Sequence, residues 1–258
     1  MGAARRSWRA FALASLGVAA IAAAVAGVWF GLLRSEGGED GPPRAAIVDQ
    51  LSVNVPNPDF RVTATRTLEA AGYTVDYYPG EEVTVSFYRR LPSKHYDVIV
   101  FRSHADRLQA TTVQGEAFDE VILFTAEEYG RSKYTSEQAD NRLVIARYYE
   151  GGPGYFGIAS GFFQEQPGNY DGATIIMMGC EGLLSDATAK AFISKGAKTY
   201  ISWNETVSAP HTDEATEVLL RHMLIDKKTP TDAVALTMAD VGPDPAYGSR
   251  LKAYPPPG

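Results

Sequence analysis

The chain is poor in cysteine: Cys180 is the only one among 258 residues, so an internal disulfide is excluded. The motifs of several large enzyme classes are also missing, since the sequence contains no G-x-S-x-G, no P-loop and no G-x-G-x-x-G that follows a predicted strand. Neither Cys180 nor the four histidines show a spacing such as C-x-x-C or H-x-x-x-H. We therefore expect no serine hydrolase, NTPase or dinucleotide-dependent activity, and no metal or other cofactor.

Basic charge is scarce relative to acidic charge. Lys and Arg number 24 against 31 Asp and Glu, which gives a formal net charge of -7. Proteins that bind nucleic acid through its phosphates need clustered Lys and Arg, so we expect no nucleic-acid partner. The hydrophobic share of 45% and the charged share of 21% are typical of a globular domain with a core of its own.

The N-terminus contains a long uncharged stretch. It runs for 24 residues from Ala10 to Leu33 and follows three arginines. About 20 apolar residues in a helix span the hydrocarbon core of a bilayer, and the positive-inside rule places the arginine-bearing end in the cytoplasm. We therefore predict that residues 1–35 form a single-pass anchor in the cell membrane, with the rest of the chain extracytoplasmic. A cleaved signal peptide is the alternative, although its apolar region is usually only about 7 to 15 residues long.

Beyond the anchor, residues 36–43 are rich in Gly, Pro and acidic residues and are predicted to form a flexible linker. Residues 44–258 alternate apolar or β-branched runs with amphipathic helical patterns, which is typical of a parallel sheet with crossover helices. We therefore predict one α/β domain with a mostly parallel central sheet. Its strands are predicted at 45–51, 73–79, 95–104, 173–179 and 198–203, and its helices at 61–72, 185–196, 212–228 and 229–241. Residues 106–170 exceed the length of one crossover helix and are predicted to form an insertion, with hairpins and a short helix, that lines a pocket.

Two reactive residue types lie at predicted strand ends. His104 ends the third predicted strand, and Cys180 directly follows the fourth. Catalytic groups collect at the carboxyl ends of parallel strands, and strands that follow one another in sequence are often neighbours. A neighbouring imidazole can take the proton of a thiol, and the helix N-terminus predicted after Cys180 favours the thiolate further. Gly179 and Gly182 permit a tight turn whose backbone amides can form an oxyanion hole.

Three stretches around these residues form a longer pattern: YDVIVFRSHA, ATIIMMGCEG and AKAFISKGAKTYISWNETVSAPHTDEATEVLLRHML. Together they resemble the caspase-like cysteine peptidases, which include caspases, gingipains, clostripain, separase and CHAT domains. The CHAT pattern is the most similar, with a strand ending in His, another ending in Cys followed by Glu and Gly, then a helix, and a strand ending in Trp. The resemblance covers roughly residues 90–240. It implies a three-layer sandwich of caspase-like fold and endopeptidase chemistry, with His104 as the general base and Cys180 as the nucleophile.

The resemblance also implies roles for residues near this pair. The backbone amides of Ala105 and Cys180 would hold the oxyanion, and Glu181, Trp203 and Asp213 would contribute to substrate binding. Asp213 would pair with a basic P1 side chain, as the corresponding Asp does in separase-like members, whereas Glu181 could instead orient the turn. The family usually has Gly directly after the histidine, where this chain has Ala105.

The function predicted from these residues is that of a membrane-anchored cysteine endopeptidase that uses His104 and Cys180 to hydrolyse protein or peptide substrates. A catalytically inactive binding or scaffold module of the same fold is the alternative, because Ala105 departs from the family and the insertion is unusual. A lone cysteine at a strand end is also often a small buried hydrophobe. A receptor that binds carbohydrate or another ligand through the aromatic insertion is a third class. Among the other histidines, His211 could line the pocket and His222 is predicted to be a partly exposed helix residue.

Overall fold

The structure is a computed structural model that describes residues 41–111 and 117–256. The chain from Pro42 to Gly258 forms one compact unit. The anchor predicted at 1–35 and the first part of the predicted linker lie outside the described residues. In the part of the chain that is described, no helix has the length and apolar character needed to cross a membrane.

Strands and helices alternate along most of this unit. The strands are β1 (Arg44–Asp49), β2 (Thr74–Pro79), β3 (Val98–Arg102), β4 (Ala105–Thr111), β5 (Ala117–Glu128), β6 (Leu143–Ala146), β7 (Tyr155–Ile158), β8 (Thr174–Met177), β9 (Thr199–Trp203) and β10 (Leu251–Tyr254). The helices are α1 (Pro58–Ala70), α2 (Val85–Arg90), α3 (Thr135–Ala139), α4 (Ser160–Glu165), α5 (Ala187–Ser194), α6 (Ala209–Leu220) and α7 (Pro230–Asp240). A π-helical turn, Arg221–Ile225, continues α6.

Six strands form the central sheet, in the order β10-β9-β8-β3-β1-β2. Five of them run parallel, and β10 pairs antiparallel with β9 at one edge. The sheet is therefore mixed and mostly parallel. Parallel strands need connections long enough to hold a crossover helix, and helices lie between these strands along the chain. The predicted α/β class is therefore confirmed.

Both faces of the central sheet are buried. Ile99 and Phe101 of β3 belong to one apolar cluster, which α2, α4 and α5 complete. Val98 and Val100 belong to a second cluster, which α1, α6 and α7 complete. A strand that packs against helices on both faces has no polar side, which is why β3 reads as a continuous apolar run in the sequence.

The predicted insertion forms a second sheet, which is four-stranded and antiparallel in the order β4-β5-β7-β6. Its first strand begins at Ala105, directly after His104, and pairs Ala105 with Leu123 of β5. Leu123 and Ile158 belong to the same apolar cluster as Ile99 and Phe101 of β3. The second sheet therefore packs against the central domain and places His104 where the two sheets meet.

The predicted strands and helices of the central domain are all present, with shifts of a few residues at their ends. The helix predicted at 212–228 begins earlier, at Ala209, and ends as the π-helical turn. Two elements, α2 and β10, were not predicted. The six residues of α2 are too few to show a helical period, and β10 lies in a Pro- and Gly-rich tail that gives no strand signal.

Candidate active site

The strands that precede the two candidate residues are neighbours in the central sheet. β3 and β8 run parallel with Phe101 opposite Met177, and the Met178 N–H donates to the Phe101 carbonyl at 2.9 Å. His104 and Cys180 therefore leave the sheet at the same carboxyl edge, a few residues beyond paired positions.

The two strand ends lie close together at Gly179. A Cβ built at this position would lie 2.5 Å from the Ser103 carbonyl oxygen and 2.9 Å from the Cβ of Ala105. These two residues flank His104, so Gly179 lies against the residues on either side of the histidine. Only a residue without a side chain fits this approach, which explains the glycine directly before the cysteine.

Several side chains hold His104 in place. Gln50 Oε1 accepts the His104 backbone N–H at 3.0 Å, and Gln50 Nε2 donates to the Tyr148 hydroxyl at 2.6 Å. The ring centroids of Tyr148 and Phe124 lie 4.9 and 5.8 Å from that of His104. Asn54 Nδ2 lies 3.2 Å from His104 Nε2. The imidazole is thus fixed between the polar loop after β1 and two aromatic side chains, one from β5 and one from the segment between β6 and β7.

This environment keeps the imidazole neutral. Burial lowers the pKa of His104, and the positive charge of Arg102 lowers it further, to about 4. At neutral pH the ring therefore has a lone pair on one nitrogen and can act as a proton acceptor, although a weak one.

Cys180 is partly buried against the second apolar cluster. Its Sγ–H donates to the Val207 carbonyl oxygen at 3.5 Å, and no other described residue hydrogen-bonds the thiol side chain. Burial raises the pKa of Cys180, and the charges of Glu181 and Asp106 add to the increase, while the hydrogen bond to Val207 opposes it. The thiol is therefore protonated in the empty site and does not form an ion pair with His104.

A tight turn follows the cysteine. Glu181 adopts a left-handed backbone, with φ of 60°, its N–H donates to the Glu205 carbonyl at 3.0 Å, and its Oε1 accepts from Thr206 Oγ1 at 3.1 Å. At Gly182 a Cβ would lie 2.1 Å from Ser202 Oγ, so this glycine too is required by a close approach. These contacts give Glu181 a role in orienting the turn.

The Cys180 N–H is available to a ligand, because within the described residues it meets no acceptor except its own sulfur. The helix predicted to begin after the cysteine starts at Ala187, and its N-cap Asp186 makes no side-chain cap hydrogen bond. The intervening turn separates the helix terminus from the thiol by several residues. The helix terminus therefore stabilises a thiolate less than the sequence predicts, since its effect is confined to about one turn.

Asp213 is buried and lies in an ion-pair network. Its carboxylate accepts two hydrogen bonds from Arg102, at 2.7 and 2.9 Å, and one from Asn57 Nδ2 at 2.8 Å. Arg102 is fully buried and also donates to Asp49 Oδ1 at 2.9 Å. Burial would lower the pKa of Arg102, but the hydrogen bonds and charges of the two carboxylates raise it overall. In this arrangement the carboxylate of Asp213 faces Arg102 and Asn57 and has no side open to a substrate.

Trp203 is fully buried as well, and its indole Nε1 donates to Thr212 Oγ1 at 2.8 Å. Its carbonyl accepts the Leu183 N–H at 2.8 Å, which ties the turn after Cys180 to β9. Trp203 therefore supports the turn from within the core. Ala105 is buried at the start of β4, which is an edge strand of the second sheet.

Two other histidines lie away from the thiol. His211 packs against the indole of Trp203, with 5.4 Å between ring centroids, and its Nε2 lies 3.2 Å from the Gly242 carbonyl oxygen. The prediction that His222 is partly exposed is wrong, because only 8% of its surface is exposed. Its two ring nitrogens lie 2.9 Å from Asp226 and Asp240, so it joins the π-helical turn to α7.

Sequence reasoning missed Gln50, Asn54, Tyr148 and Arg102. Arg102 gave a detectable signal, because a charged residue at the end of a fully apolar strand needs a buried partner. Gln50 falls within the strand predicted at 45–51, and Asn54 and Tyr148 carry no local signal that links them to His104. Their proximity to His104 results from the neighbouring positions of β1, β3 and the second sheet, which no local pattern reveals.

No family model and no curated protein matches this chain. Among solved structures, it is similar to protein GSU0716 from Geobacter sulfurreducens, with a TM-score of 0.38 and 9% sequence identity. The alignment covers 84% of this chain and 95% of that one. Similarity at this level identifies neither a fold family nor an activity, so function is argued from the site.

Proposed function

We propose that the protein is a cysteine endopeptidase of caspase-like, three-layer fold, with Cys180 as the nucleophile and His104 as the general base. The observation that carries this proposal is the close approach of Gly179 to Ser103 and Ala105, because it brings the two strand ends that bear the pair together. The strand order supports it, since β3 and β8 are the two central strands of the sheet and ligands bind at the carboxyl ends of such strands.

The reaction begins from a neutral pair. His104 takes the thiol proton as the sulfur of Cys180 attacks the carbonyl carbon of the scissile peptide bond. The backbone amides of Cys180 and Ala105 hydrogen-bond the resulting oxyanion. The imidazolium then returns the proton to the leaving amine as the C–N bond breaks, and water hydrolyses the thioester with His104 again as the base.

Catalysis in this scheme depends on bound substrate. Burial raises the pKa of Cys180 and lowers that of His104, so proton transfer between them is unfavourable in the empty site. A bound peptide must displace the thiol hydrogen bond to Val207 and place its carbonyl against the Cys180 N–H. The developing negative charge then lies on the substrate oxygen, where the amides stabilise it.

The substrates in this proposal are proteins or peptides, and residues 1–35 anchor the domain to the outer side of the cell membrane. Of the residues predicted to bind substrate, Glu181 is the one that remains partly exposed. Asp213 and Trp203 support the site from inside the domain, because both are buried and hydrogen-bonded.

A catalytically inactive binding or scaffold module is the second candidate. The observation that favours it is the hydrogen bond of the Cys180 thiol to Val207 in place of His104. In this case the cysteine packs against the apolar cluster, and the surface near His104 binds a partner without cleaving it.

Peptide cleavage by the full chain decides between the two. Wild type is compared with Cys180→Ser, with His104→Ala and with His95→Ala, where the last is a matched control because His95 is exposed and pairs with Asp171. The substrates are a fluorogenic peptide library, and labelling of Cys180 by peptidyl acyloxymethyl ketones is followed by mass spectrometry.

An endopeptidase cleaves at least one library member, loses activity in Cys180→Ser and slows by about 10²-fold or more in His104→Ala. The His95→Ala variant should remain as active as wild type. If no peptide is cleaved and labelling of Cys180 is the same with and without His104, the inactive module is correct.

A further inference from the structure

The loop between β1 and α1 carries one side chain whose partner is the proposed base. Asn54 is exposed, and among the described residues its carboxamide hydrogen-bonds only His104 Nε2, at 3.2 Å. The other ring nitrogen, Nδ1, has no hydrogen-bond partner in the described part of the chain. Nδ1 is therefore the nitrogen left for chemistry, and Asn54 is the group that faces the opposite side of the ring.

This loop is held rigidly beside the histidine. Arg102 Nη1 donates to the Val55 carbonyl at 2.9 Å. The N–H groups of Asn54 and Val55 both donate to the Leu51 carbonyl, at 3.1 and 2.7 Å. Arg102 is also the last residue of β3, the strand that leads into His104. The same buried cation therefore holds both the Asn54 loop and the strand end that carries the imidazole.

A carboxamide offers a donor on one side and an acceptor on the other, while a neutral imidazole has one N–H and one lone pair. When Asn54 Nδ2 faces Nε2, the ring proton must lie on Nδ1, and no lone pair remains free. A half-turn of the carboxamide places Oδ1 there instead, so that Nε2–H donates to it and Nδ1 keeps the lone pair. No other hydrogen bond within the described residues holds the carboxamide, so this turn breaks none.

We propose that Asn54 is a positioning residue for His104: its carboxamide oxygen accepts the Nε2 proton and thereby leaves Nδ1 as the base for the Cys180 thiol. This inference rests on the proposed function, because it assigns the nitrogen that takes the proton. Only the oxygen-facing orientation leaves such a nitrogen free. The residue acts through His104 and does not itself touch the reacting atoms.

The test compares Asn54→Asp, which offers only oxygen, with Asn54→Leu, which has a similar shape and no polar atom. Val53→Ala is the control, since Val53 is exposed in the same loop. The full chain is labelled with ¹⁵N-histidine, whose four residues give a simple spectrum. The His104 signals are assigned by their loss in His104→Gln. The protonation of each ring nitrogen is measured together with the rate at which a peptidyl acyloxymethyl ketone that labels wild type reacts with Cys180, because this probe occupies the substrate site.

We expect protonated Nε2 and unprotonated Nδ1 in wild type, in Asn54→Asp and in Val53→Ala. In Asn54→Leu both nitrogens should move towards a mixture of tautomers, and labelling of Cys180 by the peptidyl ketone should slow by about tenfold, a fraction of what a general base contributes. Asn54→Asp should restore the wild-type rate. A wild-type ring that carries its proton on Nδ1, or an Asn54→Leu variant identical to wild type, overturns the proposal.

The base role of His104 and the positioning role of Asn54 can fail separately. If the peptidyl ketone labels Cys180 equally fast in wild type and His104→Gln, the base role in the proposed function is wrong. The ring-nitrogen signals still report whether Asn54 sets the tautomer of His104. Unfolding midpoints of the Asn54 variants should equal that of wild type because the side chain is exposed, so a changed rate will not reflect a loss of fold.

Discussion

Arg102 and Asp213 form a two-point ion pair inside the domain, with Nε to Oδ1 at 2.7 Å and Nη2 to Oδ2 at 2.9 Å. The pair joins the end of β3 to the first turns of α6. Asp49, at the end of the neighbouring strand β1, completes the network. The carboxylate that the sequence suggests for substrate recognition is thus the counter-ion of a buried arginine beneath His104.

Substitution of Asp213 by Asn is therefore expected to destabilise the fold. Removal of one partner leaves the charge of the buried Arg102 only partly compensated by Asp49, and breaking a buried pair costs about 3 kcal/mol or more. Urea-induced unfolding at pH 7 measures the free energy of unfolding.

The control is Asp186→Asn, because Asp186 pairs with Lys190 on the surface, where both side chains are more than half exposed. This change should cost less than about 1 kcal/mol. If Asp213→Asn instead unfolds like wild type and selectively loses cleavage of basic peptides, Asp213 binds substrate after all.

The depressed pKa of His104 predicts a pH dependence of stability. The imidazole titrates near its ordinary pKa of 6.5 in the unfolded chain and at about 4 in the folded one, because of burial and of Arg102. Between these values the unfolded chain binds more protons, so the contribution to stability is complete above about pH 6.5 and is lost as the pH falls towards 4.

Unfolding by urea at several pH values between 4 and 7 checks this expectation. The His104→Gln variant should show a smaller loss of stability over this window than wild type. Identical slopes for the two proteins would mean that the folded imidazole titrates normally and that Arg102 does not act on it.

The thiol of Cys180 should be unreactive in the absence of a peptide ligand. Its pKa is raised by burial, and only the thiolate reacts with iodoacetamide, so at pH 7 we expect alkylation at least about tenfold slower than for an unfolded thiol. The same chain in urea supplies the unfolded reference rate. Alkylation that is faster in the folded chain would show a preformed thiolate and require an ion pair with His104.

Gly179→Ala should separate the two strand ends. The added Cβ would lie 2.5 Å from the Ser103 carbonyl oxygen, so the backbone must shift, at a cost of about 1 to 3 kcal/mol. Peptide cleavage should fall more than stability, because the shift moves Cys180 relative to His104.

Gly130→Ala is the matched control for this change. A Cβ there meets only the Lys133 side chain, at 3.4 Å or more, and the residue does not need a left-handed backbone. It should alter neither the unfolding free energy nor cleavage. If Gly179→Ala also alters neither the unfolding free energy nor cleavage, the close approach does not determine the geometry of the pair.

The central sheet could be predicted because its inner strands are continuous apolar runs and most of its helices are amphipathic with clear ends. The apolar run of β3, the glycine stop after α1 and the proline at the start of α7 are local signals with direct physical causes. The short elements α2 and β10 lack such signals. Their positions depend on packing against residues far away in the sequence.

The candidate site could be predicted only in part, for the same reason. His104 and Cys180 are recognisable because both stand at the ends of apolar strands. The surroundings of Asp213 are not recognisable, since nothing near this residue in the sequence shows that Arg102 is buried against it.

Local sequence thus determined the class of fold and the two candidate residues, because strand patterns and strand ends are encoded within a few residues. Tertiary structure decided what those residues can do. The order of the strands brought Gly179 against Ser103, and the loop after β1 placed Asn54 on the His104 ring. Burial then set the protonation of both the imidazole and the thiol. Distances and burial of this kind arise only when segments that are remote in sequence pack together.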